Sequence, residues 1–246
     1  MSVLVTGAGG NVGSAVLSAL RSRGVAATAF DRSSQSIEDA LQGVKRLFLA
    51  CGNVPGQLEF ELQAIDAADA AGVQRVVKLS AIGAEIGSPL VFWDWHGRIE
   101  AHLAASGLEA VVLRPATYTT SIPPMITDGR LFAPAGDARV ALVDPRDVGA
   151  AAAAALVDDT VEVGTYVLTG PRGLSFAEIA EAFGAEYVDV PPEAAREGML
   201  QSGLPEFVAD FLIRLFGEIR AGRVAEPTMG LRELIGRDAL EKARFT

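Results

Sequence analysis

The start of the chain places a glycine-rich segment directly after a short apolar strand. The strand is predicted at Ser2–Thr6, and the next segment, Gly7–Gly13, contains four glycines and leads into a helix predicted over Val12–Ser22. Glycines permit a tight turn and let a ligand approach the backbone, and a helix N-terminus attracts negative charge. The segment contains no lysine, which disfavours a loop that binds nucleoside triphosphates. The pattern therefore predicts a strand–turn–helix unit that binds a diphosphate.

Short apolar strands alternate with helical segments along the first two thirds of the chain. Helical spacing is evident in Val12–Ser22, between Leu58 and Ala68, in His96–Ala105 and in Val148–Val157. Strands that are joined by helices run parallel, so this order predicts an α/β fold with a doubly wound parallel sheet covered on both faces. The predicted strands, rich in Val and Leu, are Ser2–Thr6, Val25–Phe30, Arg46–Ala50, Arg75–Leu79, Ala110–Leu113 and Thr165–Leu168.

The pattern changes after about residue 120. Thr119–Pro124 contains two prolines, which can continue neither a strand nor a helix. Ser175–Glu178 has the pattern of a capping box and predicts the start of a helix. We predict two domains: residues 1–150, with a returning strand near 164–170, carry the sheet, and residues 171–246 form a smaller, mostly helical region.

Composition excludes several classes of partner. The chain has 31 Asp+Glu against 21 Lys+Arg, a net charge of −10, whereas a nucleic-acid surface needs clustered Lys and Arg. The longest apolar run, Val148–Val157, is too short to span a bilayer, and the start lacks the pattern of a signal peptide, so no membrane partner is expected. The single cysteine, Cys51, cannot form an internal disulfide, which favours a cytoplasmic protein. His96 and His102 lie on different helix faces, and no metal site is expected.

The second predicted strand ends in a pair of opposite charges. Asp31 lies 18 residues after Gly13, close to the spacing at which a carboxylate binds the adenosine ribose hydroxyls of NAD. Such a carboxylate repels the 2′-phosphate of NADP, whereas an adjacent arginine attracts it. Asp31 therefore favours NAD as the cofactor, and Arg32 leaves NADP open. A solvated turn pair is the alternative interpretation.

A set of short motifs, distributed over most of the chain, points to one family. They are Thr6–Gly13, Lys78–Ala84, Trp95–Glu100, Ser106–Leu108, Leu113–Pro115, Val143–Val148, Leu168–Gly170 and Leu174–Phe176. Together they resemble the NmrA-like branch of the atypical short-chain dehydrogenases/reductases, which includes a bacterial NAD(P)H:quinone oxidoreductase and triphenylmethane reductase. The resemblance implies a Rossmann-type domain that carries the cofactor and a smaller C-terminal domain that closes over a small-molecule substrate.

The resemblance also implies which residues contact the cofactor. The diphosphate is expected at the glycine turn, the adenosine after the second and third strands, and the nicotinamide half after the fourth and fifth. In an open α/β sheet this carboxyl edge is where a ligand is expected in any case. The implied residues are, in that order, Gly7, Gly10, Asn11 and Val12; Asp31 and Arg32; Ala50, Cys51 and Gly52; Leu79, Ser80 and Ala81; and Pro115, Ala116 and Thr117.

The chain lacks the tyrosine–lysine pair of typical short-chain dehydrogenases, in which a lysine four residues after a tyrosine lowers the phenol pKa for proton transfer. The residues four positions after its three tyrosines are isoleucine, glycine and proline, and none of its three lysines offers a replacement. Where the family pattern has the pair, this sequence has His96 and Glu100, one helical turn apart. His96 is a candidate donor of a hydrogen bond or a proton, with Glu100 to bias its tautomer; a structural pair is the alternative. Tyr118 is a candidate for the edge of the substrate pocket, unless it serves only in aromatic packing.

These observations favour an NAD(P)-dependent oxidoreductase that transfers hydride to a quinone or a similarly conjugated small molecule. Such an acceptor needs mainly orientation and the exclusion of competing chemistry. A hypothesis from another class is a non-catalytic redox sensor, which the resemblance allows because some NmrA-like proteins are regulators. The absent tyrosine–lysine pair disfavours a third hypothesis, an epimerase that acts on nucleotide-linked sugars.

Overall fold

The computed structural model describes residues 1–239 of the 246-residue chain. Its strands are β1 Val3–Val5, β2 Ala27–Ala29, β3 Arg46–Leu49, β4 Arg75–Leu79, β5 Glu109–Pro115, β6 Ile126–Thr127, β7 Arg130–Ala133, β8 Arg139–Val140, β9 Gly164–Leu168, β10 Leu174–Ser175 and β11 Glu186–Asp189. Its helices are α1 Asn11–Ser22, α2 Ile37–Ala40, α3 Gln57–Ala70, α4 Val91–Ala105, α5 Pro145–Val157, α6 Phe176–Ala182, α7 Pro192–Gln201, α8 Glu206–Arg220 and α9 Gly230–Ile235. The segment with two prolines forms two 3₁₀ turns, Thr119–Ser121 and Pro123–Met125.

The chain divides into two compact units, each made of several segments. The first comprises Met1–Pro115, Pro145–Leu168 and Met229–Asp238, and the second contains Ala116–Asp144 and Thr169–Thr228. This division differs from the predicted one at residues 1–150 and 171–246, because the segment before α5 clusters with the second unit and the segment around α9 returns to the first. Sequence periodicity does not reveal such returns, since they depend on contacts between distant segments.

A six-stranded sheet forms the centre of the first unit. The strand order is β2-β1-β3-β4-β5-β9, and every neighbouring pair is parallel. All six strands predicted from the sequence are present, and the predicted Rossmann-type doubly wound fold is confirmed. Because β1 lies between β2 and β3, the chain winds outward from β1 in both directions. Such a reversal marks the point at which open α/β sheets bind ligands, at the carboxyl ends of the strands.

Two groups of helices pack within the first unit. Helix α1 packs on α5, and α3 packs on α4. Residues of α3 and α4, among them Ile65 and Ile99, join strand residues such as Leu47 in one buried apolar cluster. Helices α1 and α5 meet at Gly149, where an added Cβ would lie 2.6 Å from the Cβ of Ala15. The absence of a side chain at Gly149 is therefore what permits this close helix contact.

The second unit combines small sheets with helices. Strand β7 pairs with β11 in parallel and with β6 in antiparallel orientation, and β8 pairs with β10. The predicted capping box of α6 is confirmed: the Glu178 N–H donates to the Ser175 hydroxyl at 3.2 Å, and the Ser175 N–H donates to the Glu178 carboxylate at 2.8 Å. Helices α6, α7 and α8 provide the helical part expected of the C-terminal region. The small sheets were not predicted, because their strands of two to four residues carry no recognisable periodicity.

Gly149→Ala should destabilise the protein, although alanine is the better helix former. The added methyl would lie 2.6 Å from the Cβ of Ala15 and 2.7 Å from its carbonyl carbon, so the helices must separate. Overpacking of this kind costs about 1–3 kcal/mol. The matched control is Gly217→Ala in α8, where nothing lies within 4 Å of the added Cβ, and it should stabilise by up to about 1 kcal/mol. Urea denaturation gives the free energy of unfolding of both variants. Equal values for Gly149→Ala and Gly217→Ala would contradict the close contact of α1 and α5.

Candidate cofactor site

The backbone of the turn between β1 and α1 packs so closely that side chains at two of its glycines would not fit. Gly7 has a φ of +61°, and a Cβ there would lie 3.0 Å from the Ala50 carbonyl oxygen. A Cβ on Gly13 would lie only 2.1 Å from the Gly7 carbonyl oxygen. The N-cap residue of α1 is Gly10, which has no side chain to bind the N–H groups of the first turn. The N-terminus of α1 therefore has no side-chain cap, which is the arrangement in which a helix start can bind an anion.

Thr6 joins the carboxyl ends of β1 and β3. Its buried hydroxyl donates to the Ala50 C=O at 2.8 Å and accepts from the Ala50 N–H at 2.8 Å. The Thr6 N–H donates to the Phe48 C=O at 3.0 Å. These bonds fix the start of the glycine turn relative to the residues that follow β3.

A cavity of about 560 Å³ opens beside this turn. Its volume lies in the range of about 300–1,000 Å³ that is typical of small-molecule sites. Two aromatic residues that the sequence did not predict for the site, Phe30 and Phe60, also line the cavity, and their ring centroids lie 6.0 Å apart in a stacked arrangement. The structure brings together seven of the predicted cofactor residues around the cavity: Gly7, Gly10, Asp31, Arg32, Ala50, Cys51 and Gly52.

Asp31 and Arg32 contact different partners inside this cavity. The Oδ1 atom of Asp31 accepts from the Ser33 N–H at 2.9 Å and from the Ser33 hydroxyl at 2.8 Å, and these bonds lower the pKa of the carboxyl. The Arg32 guanidinium lies 4.8 Å from the ring centre of Phe60, at the distance of a cation–π contact. The exposed Asp31 is therefore an anion at neutral pH, and its Oδ2 atom is the oxygen that Ser33 does not use.

The remaining predicted cofactor residues lie at the ends of helices and strands. In the first unit, the Ser80 N–H donates to the Leu113 C=O at 2.7 Å and ties the end of β4 to β5. In the second unit, the Thr117 C=O accepts from the Val143 N–H at 2.9 Å. The positions are Asn11 and Val12 in the first turn of α1, Leu79 at the end of β4 with Ser80 and Ala81 after it, Pro115 at the end of β5, and Ala116 and Thr117 after that strand.

A cluster of four buried polar side chains lies between α3, α4 and the end of β4. Lys78 forms an ion pair with Glu61 at 2.7 Å, and both side chains are fully buried. The Lys78 ammonium also lies 3.3 Å from His96 Nδ1. Gln57 Nε2 lies 3.3 Å from Glu61 Oε1 and 3.4 Å from His96 Nε2. We call these four residues the buried polar cluster.

Burial shifts the pKa values of two residues in the buried polar cluster, His96 and Glu61. It shifts the pKa of His96 well below its usual value, and the positive charges of Lys78 and Arg114 lower it further. Burial raises the pKa of Glu61, and the neighbouring Lys78 opposes this change. His96 is therefore a neutral imidazole at neutral pH and offers a hydrogen bond rather than an acidic proton.

Glu100 pairs with Arg114 rather than with His96. Arg114 Nε donates to Glu100 Oε1 at 3.0 Å, a second guanidinium N–H reaches Oε2, and the Ser80 hydroxyl donates to the same carboxylate. The structure thus differs from the expectation that Glu100 biases the His96 tautomer, because the ring nitrogens face Lys78 and Gln57. Residues four apart differ by about 40° around a helix, which is enough for two side chains to contact different neighbours.

Tyr118 belongs to the second unit and directly precedes the first 3₁₀ turn. Its backbone forms a bridge with Val143, and its side chain is half-buried. Burial raises the pKa of the phenol above its usual value. The hydroxyl is therefore protonated at neutral pH and can donate a hydrogen bond.

The sequence contained a signal for the buried polar cluster that was not recognised. Lys78 lies in the otherwise apolar strand β4, and a lysine in a buried strand requires a partner of opposite charge. Glu61 lies on the same face of α3 as Ala64, Ile65 and Ala68, which are buried. Two charged residues on inward faces indicate an ion pair, but only the packing of α3 on β4 brings them together.

Residues 1–239 contain neither of two further features, a membrane-spanning helix and a metal-binding group. Within this range, no helix has the length and apolar character needed to cross a membrane. No group of three or more His, Cys, Asp and Glu side chains in the same range has an arrangement that would hold a metal ion.

A variant without His96 should lose part of the protein's sensitivity to acid. Folded His96 resists protonation, whereas a histidine in the unfolded chain titrates near pH 6.5, so below that pH the unfolded state binds more protons. The stability that neutral His96 contributes is present above about pH 6.5 and declines as the pH falls, by up to about 1.4 kcal/mol per pH unit. Urea denaturation across this range should show a shallower decline for His96→Gln than for the wild type.

His102→Gln is the matched control on the same helix. The His102 side chain is 39% exposed and lies 2.6 Å from Asp66, so its removal should not make the decline shallower. Equal pH dependence of the wild type and His96→Gln would show that His96 titrates normally in the folded protein.

Comparisons with known proteins also indicate that the chain binds NAD(P)H. A model of the NAD(P)H-binding family matches residues 32–159, more than half of the chain. The NAD(P)H azoreductase of Xenophilus azovorans is 30% identical over 237 residues, which cover 92% of this chain and 83% of that protein.

Two solved structures have the same fold as this chain. The NADPH-dependent quinone oxidoreductase QOR2 of Escherichia coli, in complex with NADPH, superposes with a TM-score of 0.84 at 25% identity and covers 99% of this chain and 97% of its own. Triphenylmethane reductase of Citrobacter sp., in complex with NADP(H), superposes with a TM-score of 0.83 at 22% identity over 99% of this chain and 98% of its own, which shows the shared fold. The chain therefore belongs to the NAD(P)H-binding family.

Proposed function

We propose that this chain is an NAD(P)H-dependent oxidoreductase that transfers hydride to a quinone, an azo compound or a similarly conjugated small molecule. The cavity of about 560 Å³ beside the β1–α1 turn carries the proposal. The missing Cβ atoms of Gly7 and Gly13 let the turn close against Ala50 and against itself, which sets the start of α1 beside the cavity. The azoreductase and quinone oxidoreductase among the similar proteins support a conjugated acceptor.

The residues of the chain bind and orient the cofactor in this proposal. The N–H groups at the start of α1 hold the diphosphate, with Gly7 and Gly10 giving access to the backbone. Asp31 accepts hydrogen bonds from the adenosine ribose through Oδ2, while Ser33 holds Oδ1. Residues at the ends of β4 and β5, including Ser80, contact the nicotinamide half. When bound, the reduced nicotinamide supplies the hydride.

His96 takes part in this proposal without changing its protonation state. It is neutral, and its ring nitrogens face Lys78 and Gln57, so it holds these neighbours and passes no proton to the substrate. Glu100 is held by Arg114 and orients the Ser80 hydroxyl. The hydride adds to the acceptor, and solvent supplies the proton that neutralises the resulting anion. Quinones and azo compounds suit this chemistry, because conjugation spreads the negative charge until the proton arrives.

The single cysteine fits a reducing, cytoplasmic setting. Cys51 is a free, half-buried thiol that lines the proposed cofactor cavity. Burial raises its pKa, which disfavours the reactive thiolate. A disulfide or an oxidised sulfur at this position would occupy space that the proposal assigns to the cofactor.

A non-catalytic redox sensor is the second candidate, and the state of His96 favours it. A sensor needs a dinucleotide cavity but no proton donor, and neutral, buried His96 is a poor acid. The sensor would bind oxidised and reduced dinucleotide with different affinities and reduce no acceptor.

The purified protein should oxidise NADH or NADPH in the presence of a quinone or an azo dye. The absorbance of the reduced nicotinamide reports turnover, and a panel of acceptors defines the substrate class. Gly13→Ala should lower kcat/KM for the cofactor by about 100-fold, since its Cβ would lie 2.1 Å from the Gly7 oxygen and displace the turn. Gly217→Ala, with open space at its Cβ, should retain activity. Dinucleotide binding without reduction of any acceptor would favour the sensor over the enzyme.

Asp31→Asn should shift cofactor preference from NADH towards NADPH. The wild type is expected to favour NADH, because the Asp31 carboxylate repels a 2′-phosphate. Removal of the charge should change the ratio of the two kcat/KM values by about tenfold, which corresponds to about 1.4 kcal/mol of repulsion. The control Asp39→Asn removes an exposed carboxylate of α2 that does not line the cavity. The assignment of Asp31 fails if both variants keep the wild-type ratio.

A further inference from the structure

The ion pair between Lys78 and Glu61 requires an explanation beyond stability. Its atoms Nζ and Oε2 lie 2.7 Å apart, and neither side chain is exposed. Desolvation of two charges offsets much of their attraction, so apolar residues of similar volume often stabilise a fold equally well. A buried pair at this position therefore points to a role that apolar residues could not fill.

Both members of the pair lie against backbone groups at the carboxyl edge of the sheet. The Cys51 N–H, directly after β3, faces the Glu61 carboxyl and lowers the pKa of that group. The Lys78 ammonium donates to the Leu79 C=O, at the end of β4. Cys51 lines the candidate cofactor cavity. The pair thus connects the two points at which the chain leaves β3 and β4.

The ammonium group of Lys78 has a partner for each of its protons. A lysine has three N–H donors, and here they face the Glu61 carboxylate, the Leu79 C=O and His96 Nδ1. Gln57 donates to the other oxygen of Glu61. An ammonium held in this way, without exposure to solvent, positions its partners and is not arranged to pass a proton to a substrate.

We propose that Lys78 and Glu61 are positioning residues for the dinucleotide, because they hold the backbone at the starts of the loops that follow β3 and β4. This inference rests on the proposed function, which places the cofactor against those loops. Both side chains are fully buried and act through Cys51 and Leu79. Loss of the pair should weaken dinucleotide binding and leave turnover at saturating cofactor nearly unchanged.

The test replaces both charges at once. A single substitution leaves one buried charge without its partner and endangers folding, whereas Lys78→Met with Glu61→Leu keeps the volume and removes both charges. Fluorescence of the bound reduced nicotinamide gives Kd for NADH and NADPH without any acceptor. The double variant should keep a Tm near that of the wild type, raise Kd at least tenfold and change kcat less than twofold.

The matched control removes an ion pair at the opposite end of the same strand. Arg75 in β4 pairs with Glu109 at 3.1 Å and donates to the carbonyl groups of Ala155 and Asp158. Arg75→Met with Glu109→Gln should lower Tm and leave Kd unchanged. An equal rise in Kd in this control would show that general destabilisation, and not positioning, weakens binding.

A second variant keeps the inference testable if the apolar pair does not fold. Glu61→Gln removes the charge opposite Lys78 but retains an oxygen for the Cys51 N–H, so its Kd should rise severalfold, less than in the apolar pair. A wild-type Kd in the folded apolar pair, or in folded Glu61→Gln where the apolar pair does not fold, would overturn the inference. A wild-type protein that binds neither dinucleotide would refute the proposed function, and this inference with it. Wild-type binding together with unaffected variants would refute this inference alone.

Discussion

Backbone contact at the β1–α1 turn is the constraint on which the candidate site depends. Gly7 and Gly13 approach so closely that a methyl group at Gly13 would lie 2.1 Å from a carbonyl oxygen, and this approach sets the N-terminus of α1 against the end of β1. Because β1 lies between β2 and β3, the residues after those strands, Asp31 and Ala50, reach the same cavity. In the function that we propose, peptide N–H groups bind the diphosphate, so a chain with a net charge of −10 needs no basic patch for it.

Local sequence patterns predict the strands of the sheet and several residues of the cavity. They do not predict contacts between elements that are distant in the sequence. Strands such as β4 and the capping box at Ser175 follow from periodicity and from hydrogen bonds within four residues. Asp31 and Arg32 were identified from spacing, but the contact of Arg32 with Phe60 depends on how α3 packs beside β2. The division into compact units differs from the predicted boundary for the same reason, since contacts and not periodicity place residues 116–144 with the second unit.

The position of Lys78 beside His96 could not be predicted from sequence motifs. A search for a tyrosine four residues before a lysine finds no pair, yet Lys78 lies 3.3 Å from His96, the residue that occupies the place of the usual pair in the family pattern. That proximity joins a residue of β4 to a residue of α4 in the folded chain, and it has no counterpart in sequence spacing. Its electrostatic effect has the same direction as in the usual pair, because a nearby ammonium lowers the pKa of an imidazolium as it lowers that of a phenol. For His96, burial lowers the pKa most and Lys78 lowers it further, so the product is a neutral imidazole rather than a phenolate.

The polar groups at the carboxyl edge hold one another, and this restricts the chemistry that they can perform. Lys78 uses its three donors, Glu100 is engaged by Arg114 and Ser80, and His96 is neutral. Groups fixed in this way can orient a bound molecule, and neutral His96 has no acidic proton to release. An epimerase would need an exchange of protons, whereas hydride transfer to a conjugated acceptor needs orientation and a proton from solvent. The arrangement that makes proton transfer unfavourable is therefore compatible with the reductase that we propose.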